Sequence, residues 1–324
     1  MRISVVIPAF NAAEWLPGAV TSLRRQTRPP ADIVIVDDGS TDATAAVARE
    51  LGSDIRLVQQ ENRGLAAARN AGEAAATGDW LVFLDADDRL FPHALDALAA
   101  STHAPGIGLA YGFVLARIET PEKARLHSFP YAVGVPPHPA EAHFWWNAIT
   151  TPGAALIKRS LHRDVGGFDE AIRHLEDGQY WMRCGMISAF AHCDTVVLDK
   201  SWTTTSLGAS FGRNAWFRIK AQRRFLSWCR QRGFDTSFLG LRPGSLTDHA
   251  LRRILHLREW SFLDAVLGEA RADGNFGYWY WNAWLRRTLL RLSGNLPAPY
   301  VPPSIPDEVT CVSLPPGTLV SELR

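Results

Sequence analysis

In the first hundred residues, short branched apolar runs alternate with stretches of helical periodicity, and this alternation constrains the fold more than any other feature. Ile3 to Ile7 is apolar, branched and bounded by Pro8, as a buried strand requires. Leu16, Ala19, Val20 and Leu23 follow at helical spacing on one face. A second apolar run, Ile33 to Val36, leads through a polar turn into a helix carrying Val47, Ala48 and Leu51, closed by Gly52. Leu57 and Val58 mark a third strand, Gly64 to Ala76 an Ala-rich helix, and Trp80 to Leu84 a fourth strand ending in carboxylates. Strands and helices in this order imply a parallel sheet with right-handed crossovers.

Farther along the pattern changes. Ala104 to Pro152, rich in Pro and His, reads as loops and short strands covering a site, and Gly153 to Ser210 as mixed structure. Beyond Asn214 the chain is helical, with Phe217, Ala221, Phe225 and Trp228 on one stripe and Leu251, Ile254 and Leu255 on another. The last segment, 296–324, reads as a Pro-rich extended tail. Charge is balanced, 34 Lys+Arg against 33 Asp+Glu, which excludes a protein drawn to nucleic acid by bulk charge. Pro8 cuts the N-terminal apolar run too short for a signal-peptide core, and no window is apolar enough for a membrane span. Cys184, Cys193, Cys229 and Cys311 form no CxxC pair or zinc-spaced cluster. The expectation is a cytoplasmic protein.

Ligands of doubly wound sheets bind beyond the carboxyl ends of the strands. Here those ends carry Pro8-Ala9-Phe10-Asn11, Asp37-Asp38-Gly39-Ser40 and Asp85-Ala86-Asp87-Asp88. Two carboxylates two residues apart suit one hard cation such as Mg²⁺ or Mn²⁺; the alternative is a cap for a helix at Phe91 to Ala100. Asp38 either accepts hydrogen bonds from a nucleoside or forms a turn. Arg69, early in a helix, offers a forked donor to phosphate or pairs with a carboxylate.

Six motifs in order carry a resemblance: SVVIPAFN (4–11), VDDGSTD (36–42), ENRGLAAARNAG (61–72), GDWLVFLDADD (78–88), GGFDE (166–170) and LED (175–177). Together they resemble the family-2 glycosyltransferases of the GT-A fold, a Rossmann-like α/β fold with a mostly parallel central sheet. The resemblance implies a catalytic domain over 1–212, with nucleotide-binding (1–100) and acceptor-binding (101–212) halves, followed by a helical region over 213–295. By the same resemblance Pro8, Ala9, Asn11, Asp38, Arg69, Asp85 and Ala86 contact a nucleotide-sugar donor, UDP-linked by first expectation. Asp87 ligates Mn²⁺ or Mg²⁺, with Asp85 as a second ligand, and Asp177 is the catalytic base of an inverting transfer to a glycan or lipid-linked acceptor. Trp145, Trp146, Gly153, His174, Glu176 and Trp181 are candidate acceptor contacts; a core role for the Trp145-Trp146 pair is the alternative.

Two departures stand out. Phe10 replaces the family's Tyr, and Ser201-Trp202-Thr203-Thr204-Thr205 replaces a Tyr-Arg-x-His segment whose His approaches the diphosphate or metal. Near the C-terminus, Trp281, Trp284, Leu285 and Thr288 share a helical face close to Arg286 and Arg287, which suits either packing on the catalytic domain or peripheral contact of 278–292 with an anionic membrane. Competing readings are a nucleotidyltransferase, which would carry a Gly-rich basic loop after the first strand, and a catalytically silent sugar-nucleotide binding module.

Overall fold

The computed structural model describes residues 1–118, 124–127, 138–145, 149–202, 211–242, 244–257 and 262–292. The expected alternation is present: β1 (Ile3–Ala9), α1 (Leu16–Arg24), β2 (Asp32–Asp38), α2 (Thr44–Glu50), β3 (Ile55–Gln60), α3 (Leu65–Ala75) and β4 (Trp80–Phe83). Strands β1 to β4 pair in parallel in the order β3-β2-β1-β4. Strand β1 runs through Pro8, past the expected end at Ile7, for a simple reason. Leu84 N–H donates to the Val6 carbonyl at 2.9 Å, so even-numbered residues of β1 bond toward β4. Pairing on that side stops at Val6 opposite Phe83, and the missing N–H of Pro8 falls beyond it.

The rest of the sheet departs from expectation. After β5 (Arg89–Leu90) and α4 (Ala94–Ala100) comes β6 (Ile107–Ile118), a 12-residue strand inside the sheet rather than a covering loop. It carries β7 (Ala124–His127) on one side. Then follow α5 (Pro139–Trp145), β8 (Ala155–Lys158), α6 (Arg159–Asp164), α7 (Glu176–Ile187) and the 14-residue β9 (Ala189–Trp202), which pairs with β6 in parallel. The small residues Gly108, Ala110 and Gly112 dilute the apolar signal of β6 for a packing reason: a Cβ on Gly112 would stand 2.7 Å from Val197 Cγ1. The acidic quartet does not cap α4, which starts at Ala94 behind His93 with no side-chain cap.

Alternation along β1 feeds two cores. Ile3, Val5 and Ile7 join Leu16, Leu23, Leu95 and Leu98 on one face of the sheet. Val6 joins Ala68, Phe83, Phe168 and Trp181 on the other. Helices α8 (Phe211–Gln231), α9 (Ser245–Leu257), α10 (Leu263–Ala272) and α11 (Tyr278–Leu292) share a third core around Ile219, Leu251, Val266 and Tyr280. Helix α11 packs through Tyr280 and Ala283 on α9 and α10 rather than on the expected catalytic domain, while Trp281 and Leu285 stay exposed. Among the described residues no helix is long and apolar enough to cross a membrane. The tail at 296–324 lies outside the described residues.

Helix α3 lies close on the sheet at Gly72, where a Cβ would meet Val6 Cγ1 at 2.1 Å and Val36 Cγ2 at 3.1 Å. Alanine would gain about 1 kcal/mol in helix propensity. Overpacking a close-packed core costs about 1–3 kcal/mol, and the backbone-mounted valines leave little room to yield. Gly72→Ala is therefore expected to be destabilised by up to about 2 kcal/mol in urea unfolding; a raised midpoint would refute this account of the contact.

Candidate active site

A cavity of about 680 Å³ opens at the carboxyl edge of the parallel strands. Pro8 and Asn11 reach it from the end of β1, Asp85, Ala86 and Asp87 from the end of β4, Glu176 and Asp177 from the start of α7, and residues of α8 and α9 close the opposite side. Asn11 adopts a left-handed backbone (φ 49°) that the asparagine type tolerates. It pins the neighbouring turn: its N–H donates to Ser40 Oγ at 2.9 Å, and its Oδ1 accepts from Thr41 N–H at 2.9 Å.

Arg69 is buried at the centre of the site. One guanidinium nitrogen donates to Glu176 Oε1 at 2.7 Å and another to Asp85 Oδ1 at 2.9 Å. The Phe168 ring lies below it, 5.1 Å from the guanidinium carbon. Asn70, next in α3, holds Phe168 by two bonds: its Nδ2 donates to the Phe168 carbonyl at 2.9 Å and its Oδ1 accepts from the Phe168 N–H at 2.8 Å. The Ala-Arg-Asn helix and the Gly-Gly-Phe-Asp-Glu turn thus form one unit. Burial disfavours the Arg69 charge, but Asp85 and Glu176 outweigh it and hold the guanidinium protonated.

The carboxylates at the end of β4 have different partners. Asp88 is fully buried and accepts from Lys200 Nζ at 3.1 Å, a β9 residue that also lies 3.8 Å from Asp85 Oδ2. Burial would raise the Asp85 carboxyl, yet Arg69 and Lys200 hold it below the usual range. Asp87 is exposed, and no other described residue bonds to its carboxylate. Partial desolvation and the neighbouring Asp85 charge push it up, with Lys200 opposing. A cation beside Asp87 would relieve that repulsion, so the carboxylate fits a divalent metal whose remaining ligands are water and substrate. Among the described residues no three His, Cys, Asp or Glu side chains form a metal cluster, so protein ligation is sparse.

Asp177 is half-buried at the first turn of α7, where Leu175 takes a left-handed backbone (φ 61°) rare for a non-glycine residue. That conformation costs about 1–2 kcal/mol and aims the two following carboxyl groups at the cavity. Burial, reinforced by Glu176, pushes Asp177 up to about 7 against the pull of Arg69.

Several expected contacts sit elsewhere. Asp38 is buried, and its oxygens accept from Gln60 Nε2 (2.6 Å), Arg63 N–H (2.9 Å) and Gly64 N–H (2.8 Å). It secures the loop entering α3, while the local turn is held by Asp37, whose Oδ1 accepts from Ser40 N–H at 3.0 Å. Ala9 is buried in β1 behind the cavity surface. Trp181, on the inner face of α7, is fully buried in the core, and Gly153 is buried against Leu84 and Leu198; neither lines the cavity. Trp145 packs on Phe144 and His249, the core alternative. His174 does line the cavity, its Nε2 bonded to Asn214 Oδ1 at 2.6 Å. Trp146 and Thr203 to Thr205 lie outside the described residues. Sequence reasoning missed Lys200 and three basic residues of the helical wall, Arg218, His249 and Arg253, because nothing local marks them. Trp15, exposed at the cavity mouth beside Phe10, was also missed.

The sheet order, the carboxylate-lined edge and the helical extension define a GT-A fold. Solved structures bear this out at the level of fold. TarS from Staphylococcus aureus, solved with UDP, covers 91% of this chain and 92% of its own at TM-score 0.53 and 17% identity. The mannosyltransferase PcManGT from Pyrobaculum calidifontis, solved with GDP-Man and Mn²⁺, covers 91% of this chain and 81% of its own at TM-score 0.54 and 23% identity. The model of glycosyl transferase family 2 matches residues 4–166, and the chain belongs to that family. Among curated relatives, an uncharacterized Mycobacterium tuberculosis protein, MT1568, is 31% identical over 70% of this chain and 75% of its own. An uncharacterized glycosyltransferase of Nostoc, alr2836, is 45% identical over 30% of this chain, and the match spans 32% of that relative.

Removing Arg69 would strand Asp85 and Glu176 in a buried site. Breaking a buried pair from one side costs about 3–5 kcal/mol. Arg69→Met is expected to lose stability of that order in urea unfolding at pH 7, and adding Glu176→Gln to regain part of it. Additive losses in the double variant would rule out the shared clamp.

Proposed function

We propose that this protein transfers a sugar from a nucleoside-diphosphate donor, UDP-linked as first candidate, to a hydroxyl of a glycan or lipid-linked acceptor, inverting the anomeric carbon. The observation that carries the reading is the pairing, in one cavity, of a carboxyl held at about 7, Asp177, with an exposed and unengaged carboxylate, Asp87. Family membership and the UDP and GDP-Man bound by the fold neighbours support it. Asp87, with Asp85 nearby, would hold Mn²⁺ or Mg²⁺, which when bound supplies Lewis-acid neutralisation of the charge on the departing diphosphate.

The chain's own groups divide the remaining work. Glu176 is committed to Arg69 and is not available as a base. Asp177 takes the proton from the acceptor hydroxyl as the oxygen attacks the anomeric carbon from the face opposite the leaving group, work worth about 10²–10⁴ in rate. One displacement with one base inverts the centre. A base near 7 is about half ionised at neutral pH and remains basic enough to accept the proton. Phe10 and Trp15 offer apolar faces at the mouth against which a base or sugar ring can pack.

Asp177→Asn is expected to bind donor unchanged by calorimetry and to lose about 10²–10⁴ in transfer rate. In the wild type the rate should rise with pH and level off above about 7, as the carboxyl ionises. Because the folded carboxyl lies above its unfolded value, it lowers stability progressively as pH climbs toward 7. The Asn variant should therefore melt higher at pH 8 and match the wild type below about pH 4. Full turnover in Asp177→Asn would remove it as the base. For Asp87→Ala, UDP affinity should no longer depend on Mn²⁺; an intact dependence would reassign the ligand. A chain that binds UDP-sugars with Mn²⁺ yet releases no UDP would be a silent binding module.

A further inference from the structure

The cavity wall facing the strand ends is built by α8 and α9, and the charged side chains it presents to the cavity, Arg218 and Arg253, are both cationic. Arg218 on α8 and His249 and Arg253, four residues apart on α9, all line the cavity. No other described residue forms a hydrogen bond or ion pair with Arg253. Arg218 reaches only the His143 carbonyl, at a long 3.4 Å. His249 Nε2 is buried without a hydrogen-bond partner. Elsewhere on α8, Arg223 pairs with Glu269 and Asp273, and Arg224 with Asp169.

Unpaired cations in a partly buried wall lower stability, since desolvation is not offset by a counter-charge. Burial and the nearby Arg253 push Arg218 down to about 10, and burial lowers Arg253 as well. The opposing influence on Arg218 comes from Asp177, which lines the same cavity. Burial and the surrounding arginines hold His249 at about 4, neutral at pH 7, so its ring can offer one N–H. Two forked guanidinium groups and one N–H form a donor set matched to a phosphate or carboxylate.

We propose that Arg218, His249 and Arg253 form a subsite for an oxyanion carried by the acceptor, a phosphate ester or a carboxylate close to the hydroxyl that is glycosylated. The proposal rests on the glycosyltransferase reading for the word acceptor, and it makes the natural acceptor an acidic glycan or polyol rather than a neutral one.

The test uses the full chain saturated with UDP and Mn²⁺, titrated by calorimetry with glycerol 3-phosphate, with glucuronate and with neutral glycerol. The expected result is binding of at least one charged probe, none of glycerol, and an affinity for that probe about tenfold or more weaker in Arg253→Gln and in Arg218→Gln. UDP affinity, measured separately, should stay unchanged in both variants. Both should melt no lower than wild type, because each removes an unpaired charge. If neither charged probe binds the wild type, or if the variants lose UDP rather than the probe, the acceptor subsite is wrong. UDP release from UDP-sugars is assayed in parallel. Release without probe binding overturns this proposal alone; probe binding without release overturns the transferase reading and with it the word acceptor, and leaves an oxyanion site.

Discussion

The guanidinium of Arg69 ties together stretches of chain 107 residues apart, Arg69 and Glu176, while also holding Asp85 at the end of β4. A buried arginine between two carboxylates is stable only if all three are in place, because each alone would be an uncompensated charge. Acidic residues can therefore crowd one sheet edge without expelling one another. Lys200 plays a parallel part for Asp88. With Asp85, Asp88 and Glu176 neutralised by fixed cations, the charges left for a ligand are those of Asp87 and Asp177. The two differ in setting: one exposed beside a like charge, the other desolvated until its affinity for a proton approaches neutrality.

Much of this architecture is legible in the sequence. Local periodicity discloses β1 to β4 and α1 to α3, because each is short, regular and bounded by Gly, Pro or acidic turns. It fails at β6 and β9, whose pairing is long-range and whose interior glycines serve close approach to a neighbouring strand, a tertiary demand with no local signature. Motif order points to Asp87, Arg69 and Asp177. It misjudges Trp181 and Gly153, since a sequence does not say which face of an element turns inward. Arg69 lines the cavity, and the carboxylates it pairs with are those of the site, Asp85 and Glu176, not the surface carboxylate that a lone helix arginine suggests. Lys200, Arg218 and Arg253 escape notice because a lone basic residue on a strand or helix looks like solvated surface until the fold encloses it.

The site also shows where stability has been given up. The left-handed Leu175 and the unpaired Arg218 and Arg253 are all unfavourable to the empty protein and all face the same cavity. Arg223 and Arg224 of the same helix as Arg218 are by contrast paired, with Glu269 and Asp273 and with Asp169.

The family match ends at residue 166, ahead of α8 and α9. One side of the cavity is thus drawn largely from the stretch that the family model matches, and the other from helices beyond it. Arg69, Asp85 and Asp87 belong to the first wall, Arg218 and Arg253 to the second, so a substitution in the second wall can reshape the approach to Asp177 and leave the Arg69 clamp standing.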